Sequence, residues 1–164
     1  MNMARIKHFA STAVAVGALA LAAAAPVGAD EGQAHPKMVP VGQVTFQPGP
    51  ATLPAGAQIA VLHGNPAEEG PFVIRLKFPA GYVIPPHSHT KEEHVTVISG
   101  GFGMGTGGTV DKAKAPIMAS GSFVQIPVGM PHFAWTEEET VVQINAMGPF
   151  GITYVDPADD PRGT

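Results

Sequence analysis

The stretch PPHSHTKEEHVTVISGG, residues 85–101, places three histidines and two glutamates within eight positions. The whole chain of 164 residues has only seven histidines. His87 and His89 are two residues apart, so on an extended chain both rings point to the same side. The run from Glu93 alternates. Glu93, Val95, Val97 and Ser99 share one face, and His94, Thr96 and Ile98 share the other. If Glu93 faces an interior, His94 and Glu92 face away from it. Imidazole is a common ligand of transition metals, and a nearby carboxylate adds charge. Two histidines and one carboxylate on one side are the donor set of non-haem iron oxygenases. The competing reading is a solvated turn, because Pro85, Pro86 and Ser88 are turn formers. For two isolated histidines the turn reading wins, so a third, distant partner decides the matter.

Outward from this stretch the chain reads as short strands. FVIRLKF (72–78) puts Phe72, Ile74, Leu76 and Phe78 on one face and Val73, Arg75 and Lys77 on the other. Further strands are expected in QVTFQ (43–47), QIAVLH (58–63), EHVTVIS (93–99), SFVQIP (122–127), HFAWT (132–136), ETVVQIN (139–145) and GITYV (151–155). Twenty glycines and seventeen prolines supply the turns between them. Many short strands with frequent turns predict an all-β sandwich or barrel in one domain. VDKAKAPIM (110–118) has room for one helical turn, limited by Pro116. GGFGMGTGG (100–108) contains G-x-G-x-x-G at Gly103, Gly105 and Gly108, but no long helix follows it. It therefore reads as a hairpin with a thin strand rather than a dinucleotide site.

The beginning of the chain has a different character. MNMARIKHF carries Arg5 and Lys7, an alanine-rich apolar run follows, and VGAD has Val27 and Ala29 at small-residue positions. This pattern predicts a secretory signal peptide over residues 1–29, cleaved after Ala29 or a few residues earlier, with an uncleaved anchor as the alternative. Residues 30–42 are expected to be a loose leader, 43–155 the barrel and 156–164 a surface tail. Cleavage removes two basic residues and no acidic ones, leaving seven against thirteen, a formal charge of −6. That balance, without any Lys/Arg cluster, argues against nucleic acid as a partner. The absence of cysteine excludes disulfides, lipid attachment and thiol chemistry. The expected location is the periplasm or the medium, with no membrane attachment after cleavage.

GYVIPPHSHTKEEHVTVISG resembles the first motif of the cupin superfamily: Gly81, His87, His89, Glu93 and Gly100 fall at its spacing. GSFVQIPVGMPHFAW is similar to the second motif, with Gly121, Pro127, Gly129 and His132 matching and Thr136 where that motif has Asn. The resemblance implies a small antiparallel jelly-roll β-barrel. It also implies a divalent transition metal (Fe, Mn, Ni, Cu or Zn) held by His87, His89, Glu93 and His132. Glu93 would be both ligand and base. Within that superfamily, dioxygenases acting on phenolic, enolic or thiol substrates are a prominent group. A metal-dependent oxidoreductase of dioxygenase type is therefore the leading expectation. A non-catalytic binder of metal or a small ligand (a scavenger or sensor component) and a barrel with a structural metal are the alternatives.

The remaining polar residues are assigned to structure. Glu92 is expected to be a solvated rim charge, His94 a structural histidine, His63 a rim group, and His35 an exposed residue of the leader. The acidic run 137–139 reads as a solvated turn. Tyr82, Met104, Phe123, Phe133, Trp135 and Met147 are expected in the core. No Arg or Lys is expected to reach the interior, which favours a neutral or aromatic small molecule as partner. Exposed sheet edges suggest a homodimer.

Overall fold

The strand pattern is realised in a computed structural model, which describes residues 36–163. The signal sequence expected over 1–29 and His35 lie outside the described residues. From Met38 onward the described chain forms one compact unit. Its strands are β1 (Gln47–Pro48), β2 (Gln58–His63), β3 (Gly70–Phe78), β4 (Val83–His89), β5 (Glu93–Ser99) and β6 (Gly101–Thr106). They continue as β7 (Ile117–Ala119), β8 (Phe123–Ile126), β9 (His132–Thr136), β10 (Thr140–Gly148) and β11 (Ile152–Tyr154). The fold is an all-β, antiparallel jelly roll of two facing sheets. One sheet runs β1-β2-β3-β10-β5-β8 and the other β11-β4-β9-β6-β7.

The core lies between the sheets, as the alternation demands. Phe72, Ile74, Leu76 and Phe78 of β3 are buried, while Val73, Arg75 and Lys77 are half-buried on the outer side. Val95 and Val97 of β5, and Val142 and Ile144 of β10, close the same layer. Each large aliphatic or aromatic side chain removed from water in this way contributes about 1.5–3 kcal/mol.

The thin glycine-rich strand has a packing reason. Gly103 and Gly105 of β6 lie against Trp135 and Phe133 of β9, and a Cβ on Gly103 would sit 2.1 Å from the indole. Phe102 faces the core on the other side of β6. β9 is buried along its whole length. Its inward residue Ala134 belongs to the main core, while Phe133 and Trp135 stack on each other on the outer side. Ala115 and Lys112, from the segment after β6, approach that outer layer.

Several expectations are corrected. QVTFQ is not a strand: a 3-10 turn occupies Val41–Gln43, and pairing starts only at Gln47. A two-residue ladder replaces the longer strand, and Phe46 lies under the Lys77 ammonium, 5.1 Å away. The single helical turn expected in 110–118 is present, as a 3-10 turn at Lys112–Lys114, and the residues after Pro116 form β7. Phe123 and Met147 are not core residues. They are 60% and 50% exposed, on the outward positions of β8 and β10. PPHSH, read as turn-like by composition, is the second half of β4.

Candidate metal centre

Three strands supply the four residues singled out from the sequence. β4 carries His87 and His89, β5 begins at Glu93 and β9 begins at His132. The two prolines determine where the β4 histidines point. Ile84 pairs with Ala134 and His87 with His132, so β4 advances three residues while β9 advances two. The extra residue is a bulge at Pro85 and Pro86, which have no N–H to give to a ladder. Ile84 is buried in the core. Unbroken alternation from it would bring residues 86 and 88 inward and turn both histidines out. The bulge reverses that parity, and His87 and His89 face the interior.

Each ring is then oriented by a backbone carbonyl. The Nδ1–H of His87 donates to the Pro85 carbonyl (2.7 Å), that of His89 to Gly151 (2.8 Å) and that of His132 to Met130 (3.0 Å). A carbonyl only accepts, so Nδ1 carries a proton in all three rings, and in the neutral form of each ring Nε2 has the lone pair. The ligand nitrogens of His87, His89 and His132 all lie within 4.8 Å of one another. Glu93 Oε2 stands 3.5 Å from Nε2 of both His89 and His132. With the rings neutral and the carboxylate ionised, lone pairs converge here, an arrangement that a divalent cation relieves. The donor set therefore fits a transition metal. Glu93 approaches the three rings from the side of His89 and His132.

Burial pushes the pKa of His87 down to about 3, with the neighbouring His132 as the second cause. Burial also lowers that of His89, against the opposing pull of the Glu93 carboxylate and the Gly151 carbonyl. Both rings are neutral at neutral pH, so a metal would displace no proton from them. Phe150 stacks on His89, with ring centroids 4.3 Å apart. Tyr154 is paired with His87 across β11 and β4, and the two rings are 5.9 Å apart.

The donors open into a cavity of about 370 Å³, whose walls include Leu53, Ile74, Val95, Met104, Ile126 and Phe150. No Lys or Arg of the described residues lines it. Arg75 instead donates to Gln143 on the outer face. Met104 is thus both partly buried core and cavity wall.

The excluded residues lie elsewhere. His94 is on the outer face, where its Nε2 lies 2.7 Å from the Glu92 carboxylate, and Glu92 also accepts from Gln125. Those two bonds lower the Glu92 pKa, Gln125 contributing most. His63 and Glu137, Glu138 and Glu139 are exposed. Thr136, which stands where the second motif has Asn, is buried and donates to the Pro79 carbonyl at 2.6 Å, so it secures the β3–β4 turn. Sequence reasoning missed Leu53, Phe150 and Tyr154. Alternation in GITYV puts Ile152 and Tyr154 on one face, which was a usable signal. Phe150 follows a Gly-Pro turn and carries none.

Fold and donor set define a small jelly-roll protein with a candidate metal site inside its barrel. The chain belongs to the ChrR Cupin-like domain family, whose model matches residues 34–151. No curated protein matches it in sequence. Among solved structures it is similar to the polyketide cyclase RemF from Streptomyces resistomycificus (18% identity, 77% of this chain and 90% of that one, TM-score 0.61). It is also similar to a candidate acetylacetone dioxygenase from Methylibium petroleiphilum PM1 (21% identity, 79% and 88%, TM-score 0.59). A third is an RmlC-like cupin from Shewanella frigidimarina NCIMB 400 (14% identity, 69% and 91%, TM-score 0.54). At these identities the likeness is one of fold.

Proposed function

We propose that this chain is an exported, metal-dependent oxidoreductase of dioxygenase type that acts on a small phenolic or enolic molecule. The observation that carries the reading is the pairing of three convergent imidazole donors and a buried carboxylate with an apolar cavity free of fixed cations. The structural likeness to a candidate acetylacetone dioxygenase supports it at the level of fold. Fe, Mn, Ni, Cu or Zn held by His87, His89, His132 and Glu93 would supply Lewis-acid chemistry and, for the redox-active metals, electrons.

The chain's own residues do the rest. The apolar walls bind the body of the substrate and exclude water. With no Arg or Lys to clamp a carboxylate or phosphate, the polar end of the substrate is directed to the donor cluster. Glu93, 5% exposed, takes the proton of a substrate hydroxyl in this reading. Phe150 holds the His89 ring from one side and its Nδ1 bond to Gly151 holds the edge. Export is supported by the basic, apolar and small-residue pattern of residues 1–29.

The test is elemental analysis of protein recovered from its native host, followed by oxygen uptake with catechol and acetylacetone. The expected result is a bound redox metal, an exchangeable water ligand and oxygen uptake that His87→Ala abolishes. A closed tetrahedral zinc with no exchangeable water would sink the oxidoreductase reading. The mass of the mature N-terminus tests export.

A further inference from the structure

Segment 49–57, between β1 and β2, forms part of the cavity wall. Its neck is closed by the Gly49 N–H donating to the Ala57 carbonyl at 2.8 Å. A Cβ on Gly49 would lie 2.7 Å from that carbonyl oxygen, so the neck admits only glycine. Inside the loop a turn is closed by Leu53 N–H donating to the Pro50 carbonyl at 3.0 Å. Pro50, Thr52 and Leu53 line the cavity, and Leu53 also packs on the core.

Two tyrosines fasten this loop. The Tyr154 hydroxyl donates to the Thr52 carbonyl at 2.7 Å, and the Tyr82 hydroxyl donates to the Pro54 carbonyl. Those two carbonyls flank Leu53. The loop joins the edge strand β1 to its neighbour β2 in one sheet, whereas Tyr82 directly precedes β4 and Tyr154 ends β11, both in the other sheet. The hydroxyls therefore reach across the seam between the sheets. Wall residues on β3, β5 and β10 are positioned by their ladders, but Leu53 is positioned by the neck, the turn and these two bonds. Both tyrosines are buried at 6% exposure, which keeps the bonds out of water's competition.

We infer that Leu53 is a specificity-determining residue of the cavity, limiting the length of the ligand it accepts, and that Tyr82 and Tyr154 are positioning residues that hold it in place. The inference rests on the cavity being the ligand site of the proposed function, and it is independent of the redox chemistry.

The experiment measures binding of benzene and n-butylbenzene to the full chain by titration calorimetry, with and without added metal. Neither probe has a metal-binding group, so a failure of oxygen chemistry leaves the measurement intact. Leu53→Ala removes three carbons from the wall and is expected to raise the n-butylbenzene affinity about tenfold relative to benzene. Tyr82→Phe with Tyr154→Phe is expected to shift the same ratio in the same direction by a smaller factor. A purely structural role would lower the melting temperature and leave the ratio unmoved, and that result overturns the inference. So does failure of both the parent and Leu53→Ala proteins to bind either probe. In either case the metal centre still stands or falls on its own test.

Discussion

His87 and His132 face each other across the β4–β9 pair, with ring centroids 4.2 Å apart and each Nδ1 bonded to the carbonyl two residues before it. The same local device thus orients both rings, from opposite strands. Neither ring can turn its Nε2 away without leaving a buried N–H unpaired.

Replacing either ring should remove the metal and spare the barrel. His87→Ala and His132→Ala are expected to lower metal affinity at least a hundredfold, read by competition with a chelating dye. Parent protein with metal at a hundred times its dissociation constant should gain about 2.7 kcal/mol of stability over chelator-treated protein. Each variant should lose that gain while keeping the far-ultraviolet spectrum of the parent. Metal-dependent stabilisation that survives both substitutions would show that the ion is bound elsewhere.

Under the proposed function Glu93 both holds the metal and moves a proton, and a substitution there separates the two. Glu93→Gln keeps size but removes the charge beside His89 and His132, 3.5 Å from each, and exchanges one acceptor oxygen for an N–H donor. Metal affinity is expected to fall about 10- to 100-fold, as for other losses around a metal site. In metal-saturated protein, uptake of oxygen with a phenol should fall further than binding does. Unchanged metal affinity would remove Glu93 from the ligand set.

The two tyrosines predict an alkaline limit to stability. Burial, aided by the nearby Asp160 carboxylate, pushes the Tyr154 phenol up to about 12, and burial raises Tyr82 as well. In the unfolded chain both ionise near 10. The unfolded state therefore releases protons first. The folded state keeps its full advantage below pH 10 and loses it as pH rises from 10 towards 12. Denaturation midpoints across that range should fall less steeply in the Tyr82→Phe, Tyr154→Phe double variant. An equal slope in both proteins would contradict the burial of these hydroxyls.

The glycines of β6 make a packing prediction. A methyl group on Gly103 would meet the Trp135 ring and one on Gly105 would meet Phe133. Gly103→Ala is expected to cost about 3 kcal/mol in chemical denaturation. Gly42→Ala, with nothing within 4 Å of the added carbon, serves as the control and should be near neutral. Equal stability of the two variants would mean that the indole does not occupy the space over β6.

Strands were legible where alternation ran unbroken. FVIRLKF and EHVTVIS have inward residues at every second position, and the structure buries Phe72, Ile74, Leu76, Phe78, Glu93, Val95 and Val97. QVTFQ alternates too, yet only its last residue, Gln47, pairs with β2, so alternation without a ladder made no strand. Phe123 and Met147 look like core by chemistry, but their positions on β8 and β10 point outwards. Side-chain type says what prefers burial, and register says what achieves it.

The sequence by itself determined the all-β character, the opposite parity of Glu93 to Glu92 and His94, and the motif spacing that singled out His87, His89 and His132. These are properties of period and distance along the chain, which a strand preserves. Tertiary structure alone decided that the β4 histidines face inward, because a proline bulge against β9 reverses the parity set by Ile84. It also decided the company they keep. Leu53 and Phe150 come from turns far apart in sequence, and they meet at the cavity only because two sheets close over one another. No periodicity along the chain encodes a contact across a seam.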